Sequence, residues 1–164
     1  MVYAGVGFII GHEIYHGITE EVEKNPLAYY TQQKQRLVAQ YDTLPPTRGL
    51  EGARINGTVS LPDNLADLGG LLASYEAWER HSRASAVPLL EGFTPEQRFF
   101  IYYARPWRSK GTKRMWTEWG RGEQPTLPAK INGVVMNVPA FAQAFGCTDG
   151  DPMAKPAVER AEIW

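Results

Sequence analysis

Along the first eighteen residues, apolar side chains fall at Val6, Ile9, Ile10, Ile14 and Ile18. That spacing predicts an amphipathic helix over residues 4–18 with Gly17 near its end. The next apolar run, Tyr29, Tyr30, Leu37, Val38 and Tyr41, follows Asn25-Pro26, an N-cap and first-turn pair, and predicts a second helix that Pro45 and Pro46 stop. Residues 43–59 read as a loop with room for a short strand. Ser60-Leu61-Pro62-Asp63 has the form of a capping box and opens a third helix through Leu65, Leu68, Leu72, Tyr75 and Trp78 to about His81. Thr94-Pro95-Glu96-Gln97 repeats that start signal for a fourth, carrying Phe99, Phe100, Tyr102 and Tyr103, which ends or kinks at Pro106. Asn137 and Pro139 open a fifth, with Phe141 and Phe145 on one side and Gly146 as its stop. Five helices and few strand signals make the chain mainly α, with no internal repeat or low-complexity linker.

With 164 residues, 43% of them hydrophobic, the chain can bury a real core within the size of one domain. Its 17 basic and 18 acidic residues leave a formal charge of −1, so it shows no electrostatic footprint for nucleic acid or an anionic membrane. The apolar start has no basic leader, and His12, Glu13 and His16 interrupt it before about 20 residues accumulate, so neither a signal peptide nor a membrane segment is expected. Cys147 is the single cysteine, which rules out an intrachain disulfide.

The chemistry begins with His12-Glu13-Ile14-Tyr15-His16. On a helix, residues i and i+4 are neighbours, so His12 and His16 can bind one Zn²⁺ while Glu13 faces its water as general base. The metal lowers the pKa of that water to about 7, and the glutamate takes its proton as the water attacks a peptide carbonyl. Two histidines at this spacing also occur by chance on ordinary helices. A catalytic site of this type needs a third protein ligand and one open position. Asp63 and Asp67 stand four apart on the third predicted helix, so one can bind metal while the other holds a ligand histidine through its second ring nitrogen. Asp63 also fits the capping-box position, where an acid satisfies backbone N–H groups.

GHEIYHGI, NGTVSLPDNLADLGGL, QRFFIYYARPW and the ending INGVVMNVPAFAQAFGCTDGDPM…IW together resemble the C-terminal part of a neprilysin-type (M13) zinc metallopeptidase. The resemblance implies a gluzincin-type helical subdomain, with the HExxH helix packed near a helix that carries an acidic ligand and an aspartate four residues on. It implies one Zn²⁺ held by His12, His16 and Asp63, with Glu13 as base, Asp67 orienting a ligand histidine, and a peptide as substrate. It also implies a secreted or extracytoplasmic, membrane-anchored protein, although nothing in the residues directs export.

The departures from the family pattern are specific. The family has Glu-Asn-x-x-Asp where this chain has Asp63-Asn64-Leu65-Ala66-Asp67, so the ligand is one methylene short. Where the family has Asp-x-His-x-Pro, aligning Pro128 with the proline puts Gln124 at the aspartate and Thr126 at the histidine that steadies the oxyanion. Losing one such donor costs about 100- to 1,000-fold in turnover. The family's substrate-binding arginine is missing after Lys130, which can replace it as a point charge but not as a bidentate fork. The family's larger N-terminal portion has no counterpart here. Residues 1–164 therefore read as a single domain or as a fragment of a longer catalytic domain, whose exposed apolar surface invites a missing N-terminal portion or self-association. The alternative function is a degenerate, inactive pseudo-peptidase acting as a binding or scaffolding module.

Of the remaining residues, Tyr15 is expected to pack, and His81, roughly 27 Å along a straight helix from Asp63, to serve as a charge at a helix C-terminus. Trp107, Trp116 and Trp119 are expected in core packing. Ala161 replaces the cysteine of the family's Cys-x-x-Trp ending, leaving Cys147 without a local partner.

Overall fold

The computed structural model describes residues 2–83, 88–148 and 150–163; Asp149 and the terminal Trp164 of the family-like ending lie outside them. Among the described residues seven α-helices follow one another: α1 (Phe8–Glu23), α2 (Ala28–Tyr41), α3 (Leu61–Ser82), α4 (Pro95–Ala104), α5 (Lys113–Trp119), α6 (Leu127–Val135) and α7 (Pro139–Phe145). A π-helical turn, Tyr3–Gly7, runs straight into α1. Among the described residues there is no strand in the 43–59 loop or elsewhere, and only an isolated bridge joins Leu90 to Phe93. No described helix is long and apolar enough to cross a membrane.

The mainly α expectation holds, and α1 lies along α3, so the HExxH helix packs beside the acidic one. Two residues of α3 allow the close approach. A Cβ on Gly70 would stand 2.5 Å from the His12 backbone nitrogen, and one on Gly69 would stand 2.2 Å from the Tyr15 ring. Tyr15 accordingly packs, as expected, and is 2% exposed. The core spreads from this crossing through Phe8, Leu37, Tyr41, Leu68, Leu71, Phe100, Tyr103 and Val134.

The direction of the apolar stripe on α1 is a correction. Ala4, Phe8, Tyr15 and Thr19 face the core, whereas Val6, Ile9, Ile10, Ile14 and Ile18 are exposed, Ile14 at 58%. Both stripes have helical spacing, and the inward one wins because it contains Gly11, which sits against Gly70. The helix also runs past Gly17 to Glu23.

Other boundaries shift for local reasons. The second helix begins at Ala28 after an extended Leu27, so Asn25 does not cap it; its backbone N–H closes a turn onto the Val22 carbonyl instead. Ser60 does not form a capping box, because its hydroxyl donates to the Asn56 carbonyl and accepts from the Asn64 amide. Thr94 and Gln97 do form theirs. The fourth helix gives way to a 3₁₀ turn, Arg105–Trp107, at Pro106, and Gly146 closes α7 in the left-handed region at φ +65°. Two helices, α5 and α6, were not expected from the sequence. His81 sits in the last turn of α3 against the Tyr3 ring. Trp116 is buried and stacks on Trp119. Ala161 is buried and donates its N–H to the Asn137 side chain, while Cys147 is a half-buried free thiol.

Candidate metal centre

His12 and His16 lie one turn apart on α1 and turn their rings toward α3, with Nε2 atoms 3.1 Å apart. Asp63, in the first turn of α3, brings Oδ1 to 3.7 Å from His12 Nε2. The three ligand atoms all lie within 4.8 Å of one another. Donors about 2.0–2.1 Å from a tetrahedral ion stand roughly 3.3 Å apart, so two imidazoles and a carboxylate fit Zn²⁺ in donor type, and the His12–His16 and His12–Asp63 separations lie near that spacing.

Asp67, one turn beyond Asp63, accepts a hydrogen bond at 2.8 Å from His12 Nδ1, which assigns the ring proton to Nδ1 and leaves Nε2 the unprotonated nitrogen, facing His16 Nε2. Asp67 is fully buried, and burial pushes its carboxyl above the usual range, opposed by the His12 hydrogen bond and the Lys130 charge. Glu13 is exposed on the next position of α1 and, among the described residues, makes no ion pair or hydrogen bond. It is a helical neighbour of His16.

The residues expected around the substrate fare differently. Thr126 is fully buried at the start of α6 and donates its hydroxyl to the Pro46 carbonyl, so it presents no donor to a bound peptide. Lys130, expected as a substrate contact, is 8% exposed, and its ammonium lies 3.0 Å from Asp63 Oδ2 and 2.6 Å from Asp67 Oδ1. Gln124 lines a cleft of about 410 Å³ together with His16, Asp63, Val59, Pro62 and Glu123. Glu123 joins them without a sequence signal of its own. An exposed acid in a loop carries no periodic signal, and only the fold brings it to the cleft.

A family model described as "Peptidase family M13" matches residues 1–160. Neprilysin-1 of Caenorhabditis elegans is 31% identical over 183 residues, covering 99% of this chain and 24% of that protein. Human endothelin-converting enzyme 1 is 28% identical over 181 residues, covering 99% of this chain and 22% of that protein. Among solved structures, the zinc metalloprotease Zmp1 of Mycobacterium tuberculosis in complex with an inhibitor superposes with a TM-score of 0.84 at 28% identity, covering 99% of this chain and 27% of that one. The chain thus spans about a quarter of the length of the curated relatives it matches.

Proposed function

This chain belongs to peptidase family M13, and on that premise we propose that it is the metal-binding part of a zinc metalloendopeptidase that hydrolyses peptide bonds. The family and its zinc metalloprotease neighbours imply zinc, and we assign one ion per chain to His12, His16 and Asp63. The observation that carries the reading is the convergence of those three side chains with Asp67 bonded to the first of them.

Zinc bound there supplies a Lewis acid that polarises a carbonyl and makes water more acidic. His12 and His16 each offer Nε2, and Asp63 offers one carboxylate oxygen. Asp67 fixes the His12 tautomer and ring plane and raises the basicity of Nε2. Glu13, unpaired among the described residues and beside both histidines, accepts the proton of the attacking water and returns it to the leaving amine. The cleft walled by Val59, Pro62, Glu123 and Gln124 receives the peptide. The exposed α1 stripe, on the same helix face as Glu13, is where the rest of a family-sized catalytic domain packs, and the work is done outside the cytoplasm, as the resemblance implies.

One observation favours a second reading, an inactive relative that binds metal without cleavage. With the Thr126 hydroxyl engaged by Pro46, nothing at that position replaces the family's oxyanion donor. Assaying the zinc-loaded chain and its Glu13→Gln variant on a quenched-fluorescence peptide mixture separates the two. Cleavage lost in Glu13→Gln supports the peptidase; bound zinc with no cleavage by either protein supports the second reading.

A further inference from the structure

Lys130, expected as a substrate contact, is turned inward at this centre. Its ammonium is turned away from solvent and bridges the two carboxylates of α3, reaching Asp63 Oδ2 at 3.0 Å and Asp67 Oδ1 at 2.6 Å. It stands 5.3 Å from the centre of the Trp107 ring, which closes the other side. The helix that carries it is seated tightly. A Cβ on Gly133, three residues on in α6, would come within 2.6 Å of the Tyr41 ring. All three charged groups are buried, with Lys130 and Asp63 each 8% exposed and Asp67 at 0%.

We propose that Lys130 is a resident counter-cation of the metal centre: it holds Asp63 and Asp67 in place while the metal is away, and it weakens zinc binding when the metal arrives. The proposal rests on the zinc reading of His12, His16 and Asp63. Its physical basis is charge balance in a buried site. Two buried carboxylates without a cation repel each other and lose hydration, a state that the ammonium relieves. With Lys130 present the two carboxylates keep about one uncompensated negative charge, and a divalent ion exceeds it by about one positive charge. The ammonium and the ion then repel across a few ångströms of low-dielectric interior. Asp63 divides its charge between them, because Oδ2 is given to Lys130 and Oδ1 is the atom that faces His12 Nε2. The same contact offsets the missing methylene of Asp63, since a short side chain held on one oxygen keeps the other aimed at the histidines.

The test uses Lys130→Met, Lys130→Gln and Lys130→Arg in the full chain, measuring zinc affinity by competition with a chromophoric chelator and melting temperature with and without zinc. The neutral variants are expected to melt lower when zinc-free, to bind zinc about 10-fold or more tightly than the parent, and so to gain more in melting temperature from zinc. The arginine variant is expected to stay within about 3-fold of the parent, because it keeps the charge. A neutral variant that is unfolded without zinc and folds with it gives the same support. Zinc binding to Lys130→Met and Lys130→Gln that equals or falls below the parent's overturns the proposal and leaves the zinc reading intact. Failure of both neutral variants to fold in either state also overturns it. If the parent and all variants bind no zinc, the zinc reading fails first and this proposal with it.

Discussion

His12 is held from behind by Asp67: Nδ1–H donates to Oδ1 at 2.8 Å, and the acceptor is completely buried. Because a ligating imidazole depends on the partner of its other nitrogen for tautomer and orientation, Asp67→Ala is expected to weaken zinc by about 10- to 100-fold. Asp67→Asn, whose carbonyl can still accept the bond, should lose less. Chelator competition on the folded variants measures both, and equal affinity in Asp67→Ala and the parent would refute the role.

Gly70 sets how closely α1 and α3 approach. An added methyl meets the His12 backbone at 2.5 Å, and backbone cannot swing aside as a side-chain tip can. Gly70→Ala should cost about 1–3 kcal/mol in urea denaturation through overpacking. It should also weaken zinc, because the strain falls on His12.

Thr94 provides a control away from the metal. Its hydroxyl accepts from the Gln97 N–H while the Gln97 side chain accepts from the Thr94 N–H, completing the α4 capping box. Thr94→Ala is expected to cost about 1 kcal/mol of stability and to leave zinc affinity unchanged.

The outward stripe of α1 gives an opposite expectation from the one its sequence suggests. Ile10 and Ile14 are 54% and 58% exposed, so replacing both by Gln should change folding stability by no more than about 0.5 kcal/mol per site. Sedimentation should show less self-association in the double variant. A loss of several kcal/mol would mean that these residues are core.

Alkaline pH should unfold the chain through its buried tyrosines. Burial raises the hydroxyls of Tyr41 and Tyr103 well above the ordinary value, with further rises from Asp67 and Asp63, and pushes Tyr75 up to about 12. A folded pKa above the unfolded one contributes stability that is whole below about pH 10 and is lost as pH rises toward the folded values. Tyrosinate absorbance followed against pH should therefore show these groups ionising together with the loss of helical circular dichroism, not before it.

Much of the architecture is legible in the sequence, and the failures have physical causes. The capping box at Thr94 and the left-handed stop at Gly146 are local devices and read correctly. The α1 period is also local, but which of two stripes faces inward is decided by the crossing with α3 at Gly70, which no window on α1 contains. Ser60 has the sequence context of a cap, but Asn56 and Asn64 engage its hydroxyl. The helix that carries Lys130 is short and contains Pro128 and Gly133, both poor helix formers, so its sequence pattern is weak, and the pairing of Lys130 to Asp63 and Asp67 is set by tertiary structure. His12, His16, Asp63 and Asp67 could be named from spacing and resemblance, whereas their mutual distances belong to tertiary structure alone.

The most direct test is metal content. Elemental analysis of the purified chain after dialysis against zinc, beside folded His12→Ala and His16→Ala variants, should find about one zinc per chain in the parent and a strong loss in both variants. Zinc at background in the parent, or a zinc content that survives both substitutions, would contradict the assignment of this centre.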